Sequence, residues 1–341
     1  MVAVVQTIIL NWRTAGLTLR AIGAAQREMK QLNGGITVVD NDSQDGSFER
    51  LRDAAEILPS VTVLQAGRNG GFGAGNNHAI RAGLPGGNRP DYVYVLNSDA
   101  FPGPDAIKIL AEYLDRHPKV GFVGSYIHGE DDTPHLTTFR FPSIWSELEG
   151  AARFGPISRA LAKYAVPREI IVPPPPPIPG LDKGPVTGIK VDWLAGASLM
   201  MRRDVLDDIG LFDENFFLYF EETDLSLRAA RAGYETHFVG ASRVAHIGSV
   251  STGMKQWHRV PGYWFDSRLY YFSKNHGRLY AALATIAHLS GGLLHRARCL
   301  ISRKKTGEAR WYLWHLLTHD ILAALKCIAR LGRAKRPQRK D

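Results

Sequence analysis

Cysteine is nearly absent from this chain of 341 residues. Cys299 and Cys327 are the only two, both fall late, and they form no CxxC pair. No disulfide framework follows from them, and a reducing compartment fits such usage. The start also lacks the basic region of a signal peptide. Met1-Val2-Ala3-Val4-Val5-Gln6 reads directly into a strand, so a cytoplasmic chain is expected. Long apolar runs are missing as well: Leu279 to Leu294 is sixteen residues without formal charge, short of the ~20 that span a bilayer. Most of the chain lacks net charge. Residues Arg296 to Asp341 hold 13 Lys/Arg against 3 Asp/Glu, a net of +10, while the whole chain carries +9, which leaves about −1 for the rest. The basic pI therefore belongs to a C-terminal region and gives no case for nucleic-acid binding by the body of the protein.

What is present is a globular composition, 45% hydrophobic, with a regular alternation of strands and helices. Strands are predicted at 4–10, 36–39, 61–64, 92–96 and 120–125. Helices are predicted over Thr14–Leu32, Gly46–Ile57, Gly75–Ala82 and Pro104–Arg116. This order predicts an α/β fold with a doubly wound, mostly parallel sheet and helices on both faces. Right-handed crossovers bring the strand ends to one rim, where ligands of such sheets bind. Asn11, Asp40, Asn69 and Asp99 all follow strands and should converge there. Residues 127–190 lose the pattern and carry five consecutive prolines, Pro173–Pro177, which reads as an irregular excursion with polyproline II. Order resumes at Val191.

Several segments carry possible chemistry. Asp40, at the end of a strand, can accept from a ribose hydroxyl or a base N–H; an Asx-turn or helix cap explains it equally well. Arg68-Asn69-Gly70-Gly71-Phe72-Gly73-Ala74-Gly75 is glycine-dense between a strand and a helix, where backbone amides can approach phosphate. It matches neither the Rossmann spacing nor a Walker loop, and a tight turn before the helix is the lesser alternative to a phosphate contact. In Asn97-Ser98-Asp99 an apolar strand runs into an acidic turn suited to a hydrated divalent cation and a phosphate. Glu221-Glu222-Thr223-Asp224 places three carboxylates at a predicted helix start, where one can act as a base on a hydroxyl. Asp224 and Arg228 are spaced to pair across a helical turn instead. His246 stands alone after a short strand, and lone histidines are more often structural.

The ordered set of Ile9-Leu10-Asn11-Trp12, Val39-Asp40-Asn41-Asp42-Ser43, Asn69-Gly70-Gly71-Phe72-Gly73, Leu96-Asn97-Ser98-Asp99, Gly196-Ala197-Ser198-Leu199, Gly210-Leu211-Phe212-Asp213-Glu214, Glu221-Glu222-Thr223-Asp224 and His246 resembles family 2 glycosyltransferases of the GT-A fold. The likeness is to the bacterial rhamnosyltransferase-like branch and spans residues 4 to 275. It implies a nucleoside-diphosphate sugar donor of UDP or dTDP type. The nucleotide-sugar contacts it implies are Asn11, Asp40, Asn69, Gly70, Ser98 and Asp99. A divalent metal, Mn or Mg, is implied at Asp99 with His246 as second ligand. Glu222 is the implied catalytic base, with Glu221 its alternative. Trp193, Gly196 and Asp224 would line the acceptor or sugar cleft. Two residues depart from the family pattern: Asn97 replaces the first acid of Asp-x-Asp, and Glu222 replaces the second acid of Glu-Asp.

The reading that follows is an inverting glycosyltransferase acting on a glycan or lipid-linked hydroxyl in cell-surface polysaccharide synthesis. Residues 1–275 would form the GT-A domain: 1–126 the nucleotide-sugar half, 127–190 the excursion, 191–275 the acceptor half. Residues 276–341 would form a basic, amphipathic helical region on an anionic membrane surface, placing the protein on the inner face of the membrane. Packed helices with a solvated basic tail are the alternative for that region. A non-catalytic membrane-attached sugar-binding scaffold is a second reading of the whole chain; the acidic cluster argues against it. A nucleotidyltransferase would want a basic glycine-rich loop after the first strand, which Asn11-Trp12-Arg13-Thr14 is not.

Overall fold

The computed structural model describes residues 3–167, 171, 186–248 and 257–334. The run Pro173–Pro177 lies outside the described residues. In chain order the elements are β1 (Val4–Asn11), α1 (Ala15–Met29), β2 (Asn33–Asp40), α2 (Ser47–Ala55), β3 (Val61–Gln65), α3 (Gly71–Ala82), β4 (Tyr92–Asn97), β5 (Ala100–Pro102), α4 (Ala106–Arg116) and β6 (Val120–His128). They continue with β7 (Thr138–Phe139), α5 (Ile144–Ala152), α6 (Gly155–Ala160), β8 (Ile189–Val191), β9 (Trp193–Leu194), β10 (Ser198–Arg202), α7 (Arg203–Ile209) and α8 (Glu221–Arg231). Last come β11 (Glu235–His246), α9 (Gly262–His276), α10 (Arg278–Ile301) and α11 (Tyr312–Ala334). The chain forms two compact units, one of residues 1–141 with 167–255, the other of 142–166 with 256–341.

The first unit is built on a sheet of order β3-β2-β1-β4-β10-β6-β11-β5, with β8 also paired to β11. β3, β2, β1 and β4 run parallel, as do β6 and β11. β10 enters antiparallel between β4 and β6. The strands are apolar almost throughout because both faces are covered. Alternation still decides which face each side chain meets. Tyr92, Tyr94 and Leu96 pack with Ile22 of α1 and Leu110 of α4. Val93 and Val95 pack with Ile80 of α3, Val205 of α7 and Leu225 of α8.

The second unit is helical. α10 meets α5 at Gly291, where a Cβ would fall 2.6 Å from the Leu148 carbonyl oxygen. Arg268 of α9 is fully buried and donates to Glu147 Oε2 at 2.7 Å and to Thr285 Oγ1 at 3.1 Å. His288 Nδ1 lies 2.7 Å from the same Glu147 oxygen. Burial works against ionisation of Glu147, but Arg268 and His288 outweigh it and hold the carboxyl at about 2. Among the described residues no helix is long and apolar enough to cross a membrane.

Three sequence expectations change. The excursion over 127–190 is not wholly irregular: it contains α5, opened by a capping box between Ser143 and Ser146, and α6. α5 packs on helices more than a hundred residues later, so its apolar partners are invisible locally. The boundary expected at 275–276 falls near residue 256, since α9 packs with the second unit. α3 begins at Gly71, four residues before its expected start.

Candidate active site

Parallel register brings the strand ends together as predicted. Asn11 pairs with Asp40, and Leu10 with Asn97. Asp40 is fully buried and its carboxylate is held from several sides. Asn11 Nδ2 donates to Oδ1 at 2.7 Å, and the Ser43 N–H donates to Oδ2 at 3.0 Å. The Gln65 amide, turned with its nitrogen toward Asp40, adds a donor at 2.8 Å. Asn11 in turn accepts from Thr18 Oγ1 at 2.6 Å. Asp40 thus knits β1, β2 and the following turn. Ser98 accepts from Thr14 Oγ1 at 3.1 Å, tying the β4 turn to the start of α1. Asn69 accepts from Asn41 Nδ2 at 2.9 Å and from the Gly71 N–H at 3.1 Å, which links the β2 and β3 turns.

Asp99 and His246 meet although 147 positions separate them, because β5 and the end of β11 pair antiparallel. His246 Nε2 lies 3.1 Å from Asp99 Oδ1 and 3.3 Å from Asn97 Nδ2. The Gly248 N–H donates to Asp99 Oδ2 at 3.0 Å. Burial disfavours the Asp99 carboxylate, yet the His246 contact and the Gly248 N–H hold its pKa below the usual range. The His135 ring, which sequence reasoning missed, stands edge-on to His246 at 6.1 Å.

The acidic helix α8 is aimed by a strained entry. Tyr219 and Phe220 both have left-handed backbone, φ 70° and 69°, at about 1–3 kcal/mol each. Such strain in consecutive bulky residues concentrates at sites where direction matters. Glu221 is 1% exposed and its Oε2 meets no hydrogen-bond partner. Burial, reinforced by the neighbouring Glu222, pushes its carboxyl well above the ordinary value. Glu222 is only partly buried, and its Oε1 accepts from the Gly196 N–H at 3.2 Å. Its pKa is also raised, by desolvation, with the Gly196 N–H pulling the other way.

Gly196 connects this carboxylate to the strand rim. A Cβ there would fall 2.6 Å from Glu222 Oε1 and 3.0 Å from the Phe72 ring. The next residue, Ala197, accepts from the Asn97 N–H at 3.1 Å, so the β4 turn and Glu222 flank one short loop. The glycine-dense segment approaches from another side. Gly71 has φ 87°, and a Cβ on it would overlap the Phe217 carbonyl. Gly73 and Gly75 make room for Phe212 and Leu10. These glycines serve close packing, and Gly70 caps α3.

Two expected cleft residues have other employment. Asp224 is completely buried and binds Arg228 Nε at 2.9 Å, while the same guanidinium caps the carbonyls of Ile209, Gly210 and Leu211. It is brought to α8 and the turn after α7, not to the cleft. Trp193 stacks on Phe139 at 4.3 Å and donates to the Arg140 carbonyl at 2.9 Å, bracing the loop that leads to Gly196.

Among the described residues no group of three or more His, Cys, Asp or Glu is arranged as a metal cage. Asp99 and His246 nevertheless present one oxygen and one nitrogen side by side. That set suits a cation whose remaining positions are filled by diphosphate oxygens and water.

This sheet, with its acidic strand turn facing a carboxylate helix, is that of a GT-A glycosyltransferase. The crystal structure of GalNAc-T7 with UDP, GalNAc and Mn2+ has the same fold, with a TM-score of 0.58 at 12% identity, covering 98% of this chain and 58% of that one. The family profile described as "Glycosyltransferase like family 2" matches residues 13–260, and the chain belongs to that family. Among its curated relatives is the N-acetylglucosaminyl-diphospho-decaprenol L-rhamnosyltransferase of Mycobacterium tuberculosis, 30% identical over 64% of this chain and 68% of that protein. Rhamnosyltransferase WbbL of Escherichia coli K12 is 26% identical over 61% of this chain and 72% of that protein.

Proposed function

We propose that the protein transfers a sugar with inversion from a UDP- or dTDP-linked donor to a hydroxyl of a glycan or lipid-linked acceptor in cell-surface polysaccharide synthesis. The observation that carries the catalytic part is the Gly196–Ala197 loop, which holds Glu222 on one side and the Asn97 turn on the other. Glu222 takes the acceptor proton as the acceptor oxygen bonds to the anomeric carbon and the carbon–phosphate oxygen bond breaks. Its raised pKa makes it a stronger base than an ordinary carboxylate, and its partial exposure leaves an oxygen for the acceptor. Glu221, buried with its carboxyl pushed up by desolvation, fits a supporting role. Asn11, Asp40, Asn69, Gly70 and Ser98 shape the nucleotide side, Asp40 by holding the turn rather than by offering free oxygens. Gly196 borders the acceptor side, and Trp193 braces the loop that leads to it.

Asp99 and His246 would hold a Mn or Mg ion, which when bound neutralises charge on the diphosphate. The lipid-linked acceptor class is supported by the diphospho-decaprenol in the name of the mycobacterial relative. With it goes a peripheral place on the inner face of an anionic membrane.

Release of nucleoside diphosphate from UDP- and dTDP-linked sugars, in the presence of acceptor and Mn2+, tests this reading. Glu222→Gln should lower transfer by about 10²–10⁴-fold, and Glu221→Gln should leave most of it. The reverse order would move the base to Glu221. Full transfer by both variants would remove the mechanism.

A further inference from the structure

The second unit leaves an unusual surface at the turn between α10 and α11. Leu300 and Ile301 close α10 and are 81% and 84% exposed. Arg303, Lys304, Lys305 and Arg310 follow, all exposed. Trp311 and Trp314 then stand 59% exposed at the start of α11, with the Arg310 guanidinium 6.0 Å from the Trp311 ring centre. Glu308, the one carboxylate between Ser302 and Trp314, is turned inward and bound by Arg296 at 3.0 Å. Among the described residues no carboxylate pairs with the four cations. The apolar edge continues up α10 through Leu293, Ile286 and Leu279, each seven residues apart and exposed.

We infer that this helical hairpin tip docks on an anionic phospholipid bilayer. Leu300, Ile301, Trp311 and Trp314 enter the interfacial region, and Arg303, Lys304, Lys305 and Arg310 meet headgroup phosphates. Tryptophan and aliphatic side chains bracketing a cationic turn match the layered chemistry of that interface. A second copy of the chain is a poorer occupant. Two-fold self-association brings a patch against itself, here four cations against four. The inference rests on the peripheral-membrane part of the reading above and assigns it to one turn.

Sedimentation of the full chain with phosphatidylcholine vesicles, with and without phosphatidylglycerol, tests it. The wild type should bind the anionic vesicles and be released by added salt. Reversing three cations together (Arg303→Glu, Lys304→Glu, Lys305→Glu) should lower partitioning by about 100-fold or more, each cation being worth roughly five-fold. Leu300→Ser with Ile301→Ser should lower it by about tenfold or more. Circular dichroism and nucleotide release in solution should stay at wild-type values for both variants. Equal vesicle binding by the wild type and both variants overturns the assignment of the tip and leaves the membrane reading standing. Salt-insensitive binding, or a concentration-dependent dimer that the charge reversal dissolves, overturns the lipid occupant. Absence of nucleotide-sugar cleavage by the wild type would instead strike the catalytic reading, whatever the vesicles show.

Discussion

Gly196→Ala is a single-methyl probe of the whole catalytic arrangement. The added Cβ would sit 2.6 Å from Glu222 Oε1 and 3.0 Å from the Phe72 ring. The carboxylate is the end of a flexible side chain and can retreat, so the fold should tolerate the change at about 1 kcal/mol, a Tm loss of about 2–4 °C. Retreat breaks the 3.2 Å hydrogen bond from the Gly196 N–H. A hydrogen bond to a charged group is worth about 1.5–3 kcal/mol, and a misplacement of one ångström near the reacting atoms costs about 100-fold. Transfer should therefore fall by about 30–100-fold in kcat, with donor KM little changed because the methyl lies on the carboxylate side of the loop. Loss of the N–H donor also removes one of the two backbone contacts, beside the N–H of Glu222 itself, that oppose the rise in the Glu222 pKa. The acid limb of the pH–rate profile, already above the ordinary carboxylate value, should move further up in the variant. Initial rates of nucleoside diphosphate release across pH, with thermal melts alongside, measure all three quantities. A kcat within threefold of wild type would refute the idea that Gly196 sets the position of the base.

Three further outcomes follow from the same geometry. Asp224→Ala should destabilise the first unit by about 1.5–3 kcal/mol through loss of the charged hydrogen bond to Arg228, which keeps its carbonyl partners, with kcat per folded molecule unchanged; denaturant melts and active-fraction titration separate the two. Acidification should weaken the second unit, because the Glu147 carboxyl is held at about 2 against an ordinary 4.5. The stabilisation is complete above the unfolded value and is lost as pH falls toward 2, so Glu147→Gln should be less stable than wild type at neutral pH and flatter in its acid melt. Chelation by EDTA should suppress transfer and Mn2+ should restore it, whereas Asp99→Asn should blunt the restoration; a chelated enzyme at full rate would remove the cation from the scheme.

The parallel half of the sheet and the rim residues were readable because apolar strands alternating with helices leave few topologies, and each strand end carries its polar residue next in sequence. What stayed hidden depends on distant partners. Gly71, Gly73 and Gly75 look like a phosphate loop by composition, yet Phe217, Phe212 and Leu10 account for them. Asp224 looked like cleft chemistry, although its spacing to Arg228 already offered the pairing that forms. The choice between Glu221 and Glu222 could not be read from adjacent identical side chains. It rests on which one the N–H of Gly196, 26 positions upstream, can reach. α5 escaped detection because its apolar face is completed by α10.

The antiparallel insertion of β10 has a consequence for how the protein is made. β4 ends at Asn97 and β6 at His128, but the strand that fills the gap between them begins at Ser198. A nascent chain that has emerged only through β6 holds strands with unsatisfied edges in the middle of its future sheet, where unpaired backbone invites other chains. The segment from β1 to β6 therefore does not complete its own sheet. The sheet stays open at that place until residues 198–202 arrive, and the strand that seals it leads in through Gly196, whose N–H is hydrogen-bonded to Glu222.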